Sequence, residues 1–67
     1  MNHGEAVAAV GRIVIYRPPH LRSAPESKLE RGIIKWVSSE RLAHVLYTGD
    51  SEAKATYLED LSLEEKS

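Results

Sequence analysis

Short apolar stretches alternate with turn residues along most of this chain, which is the pattern of a small β protein. The stretches are rich in β-branched and aromatic residues, and Gly, Pro, Ser and Asp stand between them. We therefore predict five strands, at residues 11–16, 31–38, 41–47, 52–56 and 61–63. A tight helical turn is predicted at residues 57–61, and the short link at residues 38–40 predicts an antiparallel hairpin.

Five short strands separated by turns predict a small barrel or a sandwich. Closure into a barrel would remove sheet edges that otherwise promote aggregation. Side chains alternate between the two faces of each strand, and we expect a bulge near Trp36 to interrupt this alternation. The face that carries the apolar residues is then expected to form the core. The expected core residues are Ile13, Ile15, Ile34, Val37, Ala43, Val45, Tyr47, Leu58, Leu61 and Leu63.

A helix is the alternative interpretation of residues 51–67. Ser51 could cap its beginning, and Leu58, Leu61 and Glu64 are spaced three apart. Ala55, Thr56 and Tyr57 would make a weak centre, and a helix this short is marginal in isolation. The interpretation as a strand, a turn and a strand is therefore preferred.

The length and composition of the chain limit what it can be. Sixty-seven residues allow one domain, which buries only about 60% of the surface of its unfolded chain. Because there is no cysteine, disulfide bonds and thiolate metal sites are excluded. The chain has no long apolar run and no basic N-terminal region, so we expect a cytoplasmic protein.

Four short motifs carry a resemblance to a known group of proteins. They are GII at residues 32–34, VLYTGD at 45–50, KAT at 54–56 and EDL at 59–61. With them the chain resembles, over roughly residues 11–63, small SH3-like barrel proteins encoded by bacteriophages and prophages. One departure is LAHVLY at residues 42–47, where the group tends to have aromatic residues and an arginine.

The resemblance implies an all-β fold, a five-stranded SH3-like barrel with a long loop after the first strand and a short helical turn before the last. Residues 11–63 would form the barrel, residues 1–10 an N-terminal segment that need not be fully ordered, and residues 64–67 a solvated tail. It also implies a phage or prophage accessory protein in the cytoplasm of the host cell. Members of the group are mostly of unassigned function, so the resemblance supplies no catalytic residues.

The residue pattern offers little for catalysis or metal binding. His3, His20 and His44 are far apart in the sequence and form no pair at metal-ligand spacing, so no metal or cofactor is expected. There is no cysteine nucleophile and no GxSxG motif, and the adjacent carboxylates Glu59 and Asp60 suit a turn. We therefore expect a protein that is not an enzyme.

The long loop between the first two predicted strands is the first candidate for binding, because loops of this length are usually functional or disordered. We predict a partner-binding site formed by Arg17, Pro18, Pro19, His20, Arg22 and Trp36. The alternative is that the basic residues only solvate the loop and that Trp36 is half-buried core. A host protein is the preferred partner because the net charge is only −1. Nucleic acid bound by the basic loop, or a charged nucleotide held by an oligomer, are the alternatives.

Self-association is a further expectation. Leu42, His44 and Leu46 share the parity that points away from the expected core. Aliphatic residues exposed on a strand can form a dimer face, and a dimer would compensate for the small core. We therefore favour a homo-oligomer over a monomer.

Overall fold

The computed structural model describes residues 1–21 and 23–64; Arg22 and residues 65–67 lie outside the description. The helix and strands are α1 His3–Ala8, β1 Ile13–Tyr16, β2 Glu30–Val37, β3 Leu42–Tyr47, β4 Lys54–Tyr57 and β5 Leu61–Leu63. Three single 3-10 turns lie at Pro19–Leu21, Glu26–Lys28 and Leu58–Asp60. The five predicted strands and the helical turn before the last one are therefore confirmed, and the helical alternative is wrong for residues 54–57 and 61–63.

The five strands form one antiparallel sheet in the order β4-β3-β2-β1-β5. Among the described residues no ladder joins the two edge strands, β4 and β5, so the sheet is open and the predicted closed barrel is not formed. The 3-10 turn Leu58–Asp60 carries the chain from β4 to β5, and β5 pairs with β1 alone. Leu58 and Leu61 at this turn are buried in the core.

A bulge in β2 decides which of its side chains face the core. The register with β3 shifts between Ile34 and Trp36, so that Lys35 is the extra residue. Ile34 is consequently buried, Val37 packs against the core, and Trp36 points to the opposite face of the sheet. The predicted bulge near Trp36 is confirmed.

The first strand presents Val14 to the core cluster, which corrects the prediction that placed Ile13 there; Ile15 is buried, as predicted. Val14 is fully buried in the core cluster, whereas Ile13 is 40% exposed on the other face of the sheet. Ile15 is buried, but it lies outside that cluster. Because β1 is apolar at all four positions, alternation in the sequence cannot identify its inner face.

A short helix at the N-terminus completes the core. Asn2 and Glu5 form a capping box around the first turn of α1. Ala6 and Ala9 are buried in the core cluster, so residues 1–10 belong to the folded unit rather than standing outside it. No helix in the described part of the chain is long and apolar enough to span a membrane.

The loop between β1 and β2 packs inward. Arg17 is half-buried, its guanidinium donates to the Ala24 carbonyl at 3.0 Å, and its backbone N–H donates to the Asp60 carbonyl at 2.7 Å. Pro18 and Leu29 are buried.

Arg31, the β2 neighbour of Ile15, forms an ion pair with Glu64, which follows β5 on the other side of β1. Glu64, predicted to be in the solvated tail, is therefore half-buried against the sheet.

Candidate binding surface

The face of the sheet opposite α1 is largely apolar. On β3 the residues that face away from the core are Leu42, His44 and Leu46. Their direct cross-strand neighbours are also mostly apolar or aromatic: Tyr57 faces Leu42, Ala55 and Trp36 flank His44, and Ile33 faces Leu46. We call this set, together with Ile13 beside Ile33, the outer face; its members are Ile13, Ile33, Trp36, Leu42, His44, Leu46, Ala55 and Tyr57.

The centre of the outer face is a stacked aromatic pair. The rings of Trp36 and His44 have centroids 4.3 Å apart and an interplanar angle of 12°. The bulge at Lys35 brings them together, because it makes Trp36 the direct neighbour of His44. Half of the Trp36 surface nevertheless stays exposed. A large aromatic side chain that is held in place yet half-solvated is well suited to contact a partner.

Several apolar residues of the outer face are exposed. Ile13 and Ile33 are 40% and 38% exposed, and Tyr57 is 57% exposed. The β3 row Leu42, His44 and Leu46 connects them, so that the outer face is contiguous across four strands. Contiguous exposed apolar patches in soluble proteins commonly mark interaction sites.

Leu46 divides the outer face into two shallow hollows. Ile13, Ile33 and Gly49 line one hollow, and Trp36, His44 and Ala53 line the other; Leu46 lines both. Gly49 has a positive φ of 90°, which allows the tight turn between β3 and β4 that bounds the first hollow. The two hollows are positioned to accept two neighbouring side chains of a partner.

Charged groups at the edge of the outer face are mostly paired with each other. Arg31 pairs with Glu64, and Lys54 lies 3.3 Å from Asp50. Lys35 and Glu52, of opposite sign, both line the hollow beside Trp36. The ion pairs Arg31–Glu64 and Asp50–Lys54 therefore neutralise part of the charge beside the outer face.

The described residues of the predicted loop site differ in burial. Arg17 is half-buried and Pro18 buried, while Pro19 and His20 are exposed; Arg22 lies outside the described residues. Trp36 lies near the end of β2, on the outer face, about 20 Å along that strand from Glu30, where the loop ends. Trp36 is therefore the member of the predicted set that belongs to the outer face.

The predicted self-association residues do lie together. Leu42, His44 and Leu46 form the β3 row of the outer face, and Trp36 lies against His44. Tyr57 was not predicted on this surface, because the fourth strand was predicted to end at Thr56. The signal that would have identified it is its parity, which it shares with Ala53 and Ala55.

No three His, Asp or Glu side chains within residues 1–21 and 23–64 lie close enough together to hold a metal ion. The assignment of a function therefore depends on the geometry of the outer face and of the neighbouring surface. The chain matches no protein-family model, and comparisons with curated proteins and with solved structures find no significant similarity.

Proposed function

We propose that this protein is a non-enzymatic binding module that binds a protein partner through the outer face. The observation that carries the proposal is Trp36, which is stacked on His44 and half-exposed at the centre of an apolar surface. Tryptophan is enriched among the residues that dominate binding energy at protein interfaces. The surrounding isoleucine and leucine side chains would exclude water from that contact once a partner is bound.

The size of the surface favours a reversible complex. Trp36 and Tyr57 each expose about half of their surface, or about 100 Å² apiece. With Ile13 and Ile33 the apolar exposure is on the order of 300 Å², against the roughly 800 Å² that each partner buries in a standard interface. This area suits the apolar centre of an interface with a polar rim, and is small for a permanent dimer.

The charge of the protein favours a protein partner over nucleic acid. The net charge is −1, and the ion pairs Arg31–Glu64 and Asp50–Lys54 neutralise much of the edge of the outer face. Nucleic-acid binding depends on unpaired cations that neutralise phosphates. The basic loop is less available than its composition indicates, because Arg17 is engaged with Ala24.

The proposal extends to the class of fold and the kind of partner. A four-strand meander, a 3-10 turn and a last strand that returns to β1 support an SH3-like assignment. The resemblance to phage and prophage proteins would make a host protein the natural partner.

The test is a comparison of two matched variants of the full chain. Protein captured from host lysate by the wild type is purified and titrated against wild type, Trp36→Ala and His20→Ala. His20 is exposed on the loop and is not a member of the outer face, so its variant is the control. We expect binding to weaken about tenfold or more for Trp36→Ala and to be unchanged for His20→Ala.

Circular dichroism of both variants checks that the sheet is retained. Equal affinity of Trp36→Ala and wild type would contradict the proposal. Capture that nuclease treatment abolishes would make the ligand a nucleic acid, and a concentration-dependent doubling of mass that Trp36→Ala removes would make it a second copy of this chain. Either result would overturn the assignment of a different protein as the partner.

A further inference from the structure

A second surface, an open cleft, lies at the end of the sheet where β1 finishes and β2 begins. Its volume is about 310 Å³, within the range of small ligand sites. Tyr16, Glu30, Tyr47, Lys54, Thr56 and Tyr57 are among its lining residues. We call it the end cleft. Tyr16, Glu30, Tyr47 and Thr56 share the parity of the core residues, so the cleft opens on the inner side of the sheet, away from Trp36.

Two tyrosine rings are fixed at the end cleft. Tyr16 and Tyr47 meet edge to face, with ring centroids 6.0 Å apart and planes inclined at 65°. The Tyr47 hydroxyl hydrogen-bonds Thr56 Oγ1 at 2.7 Å, and the Thr56 hydroxyl also lies 3.4 Å from the Lys54 carbonyl. Tyr47 is consequently held in one orientation at the base of the cleft.

The charge at the end cleft is negative. Lys54, the only cationic side chain among the described lining residues, is paired with Asp50 at 3.3 Å. Glu30 forms no ion pair with any residue in the described part of the chain. Burial raises the pKa of the Tyr47 phenol, and the negative fields of Glu30 and Asp60 contribute in the same direction. The carboxylates of Glu30 and Asp60 therefore both disfavour ionisation of Tyr47, the residue at the base of the cleft.

We propose that the end cleft binds the guanidinium group of an arginine presented by a partner protein. The planar guanidinium pairs with a carboxylate through two parallel hydrogen bonds and stacks on aromatic faces. Among the lining residues Glu30 is the unpaired carboxylate, and the partly buried Tyr16 lies beside it across the β1–β2 ladder, with Tyr47 beneath. Glu30 would repel an anionic ligand. Lys54, the only cationic side chain among the described lining residues, is already paired with Asp50.

The inference does not depend on the proposed function of the outer face. The two surfaces are on opposite sides of the sheet and meet at its edge: Ala55 and Tyr57 of β4 belong to both, and Tyr47, Thr48 and Asp50 line both the end cleft and the first hollow of the outer face. A single partner could contact both surfaces by passing over this edge. Each surface can nevertheless be tested alone, because Trp36 does not line the end cleft.

The probe is Nα-acetyl-arginine methylamide, titrated into the full chain and followed by two-dimensional amide NMR. We expect saturable shifts at Glu30, Tyr47 and Thr56, with a dissociation constant of about 1–10 mM, as one small side chain can supply. The citrulline analogue has the same shape without the charge, and we expect it to cause no saturable shift. The Trp36→Ala variant should bind the probe like the wild type, which separates this site from the outer face.

Glu30→Gln is the matched test of the carboxylate, and Glu52→Gln, at an exposed acid outside the end cleft, is its control. We expect probe binding to weaken about threefold or more for Glu30→Gln, as for a solvent-accessible ion pair, and to be unchanged for Glu52→Gln. The proposal is overturned if the arginine probe gives no saturable shift up to about 50 mM, well above the expected dissociation constant. Equal shifts with citrulline, equal binding by Glu30→Gln, or preferential binding of inorganic phosphate would overturn it as well.

Discussion

The Tyr47 hydroxyl hydrogen-bonds Thr56 Oγ1 at 2.7 Å, which joins the end of β3 to β4 inside the protein. Both residues are buried, Tyr47 with 8% and Thr56 with 7% of its surface exposed. Within the described residues, Tyr47 and Thr56 are both buried and are joined by a hydrogen bond between their side chains. It links the stability of the sheet to the geometry of the end cleft.

Replacing Tyr47 by phenylalanine removes the hydroxyl and keeps the ring. We expect Tyr47→Phe to lower the free energy of unfolding by about 1 kcal/mol, the usual net value of one buried hydrogen bond. The Thr56 hydroxyl keeps the Lys54 carbonyl as a partner, so the loss should not be larger. Urea unfolding at neutral pH measures the change. Tyr57→Phe, at a tyrosine that is 57% exposed, should change stability by much less; equal losses would contradict this account.

The same phenol makes stability depend on pH in the alkaline range. Burial raises the pKa of Tyr47 above its ordinary value of 10.0; the hydrogen bond with Thr56 opposes this shift, and the charges of Tyr16, Glu30 and Asp60 add to it. The unfolded chain therefore loses this proton at a lower pH than the folded chain does. The stabilisation is complete below about pH 10 and is lost as the pH rises through the folded pKa.

Unfolding by urea from pH 8 to pH 12 tests this dependence. The difference in stability between wild type and Tyr47→Phe should be constant up to about pH 10 and should shrink above it. A constant difference across the whole range would show that Tyr47 ionises alike in both states. The Tyr57→Phe variant is again the control, because its ring is mostly exposed.

At Gly32 the neighbouring strand β3 lies too close to β2 to leave room for a side chain. A Cβ at this position would lie 2.6 Å from Val45 Cγ1 and 2.8 Å from the Leu46 carbonyl oxygen. The carbonyl belongs to the neighbouring strand, so it cannot move away without disturbing the ladder. We expect Gly32→Ala to lower the free energy of unfolding by about 1–3 kcal/mol.

Gly4→Ala is the matched control for Gly32→Ala. Gly4 lies in α1, and the nearest atom to an added Cβ is Asn2 Oδ1 at an ordinary 3.5 Å. Alanine favours the helix over glycine by up to about 1 kcal/mol, so this variant should be neutral or slightly stabilised. Thermal unfolding of the two variants, side by side, measures the contrast. Equal effects would contradict the close approach at Gly32.

The contribution of α1 to the core can be measured with two arginine substitutions. Ala6 is completely buried and Ala8, two residues along the same helix, is exposed. Ala6→Arg forces the helix off the sheet and should cost about 2–3 kcal/mol, whereas Ala8→Arg should be close to neutral. Urea unfolding gives both values. If Ala6→Arg were as stable as the wild type, α1 would not be docked on the sheet in solution.

Arg17 should hold the long loop in place. Its guanidinium donates to the Ala24 carbonyl, across the first 3-10 turn of the loop. We expect Arg17→Ala to speed amide hydrogen exchange about fivefold at Leu21 and Ala24, which corresponds to the loss of about 1 kcal/mol of local stability. Arg12→Ala, at an exposed residue outside the loop, should leave these two amides unchanged. Exchange in Arg17→Ala no faster than in wild type would contradict the contact.

Some parts of the fold follow from local pattern. In β3 the residues Ala43, Val45 and Tyr47 share one face by alternation; they were predicted on the inner face and are buried there. The bulge in β2 was also predictable, because only an extra residue lets both Ile34 and Val37 face the core. Helix α1 was not predicted, because a six-residue helix has too few turns for a recognisable period and is held by the packing of Ala6 and Ala9.

The candidate sites also contain one part that the local sequence pattern predicted and one part that it did not. The outward row Leu42, His44 and Leu46 was found by alternation alone, and the pairing of β2 with β3 then added Trp36 to it. The prediction of a binding site in the loop relied on the basic and proline-rich composition of the loop, which is typical of a solvated binding segment. In the structure Pro18 is buried, and Arg17 hydrogen-bonds the loop backbone.

By itself, the sequence determined the five strands, their approximate ends, the bulge and the outward row of β3, because each of these depends on residues close together in the chain. Only the tertiary structure decided that Val14 joins the core cluster while Ile13 stays exposed, that the sheet stays open, and that Tyr16, Glu30 and Tyr47 meet at one cleft. These features depend on which strands pair and in what register. A shift of one residue in that register would exchange the two faces of a strand without any change in its local pattern.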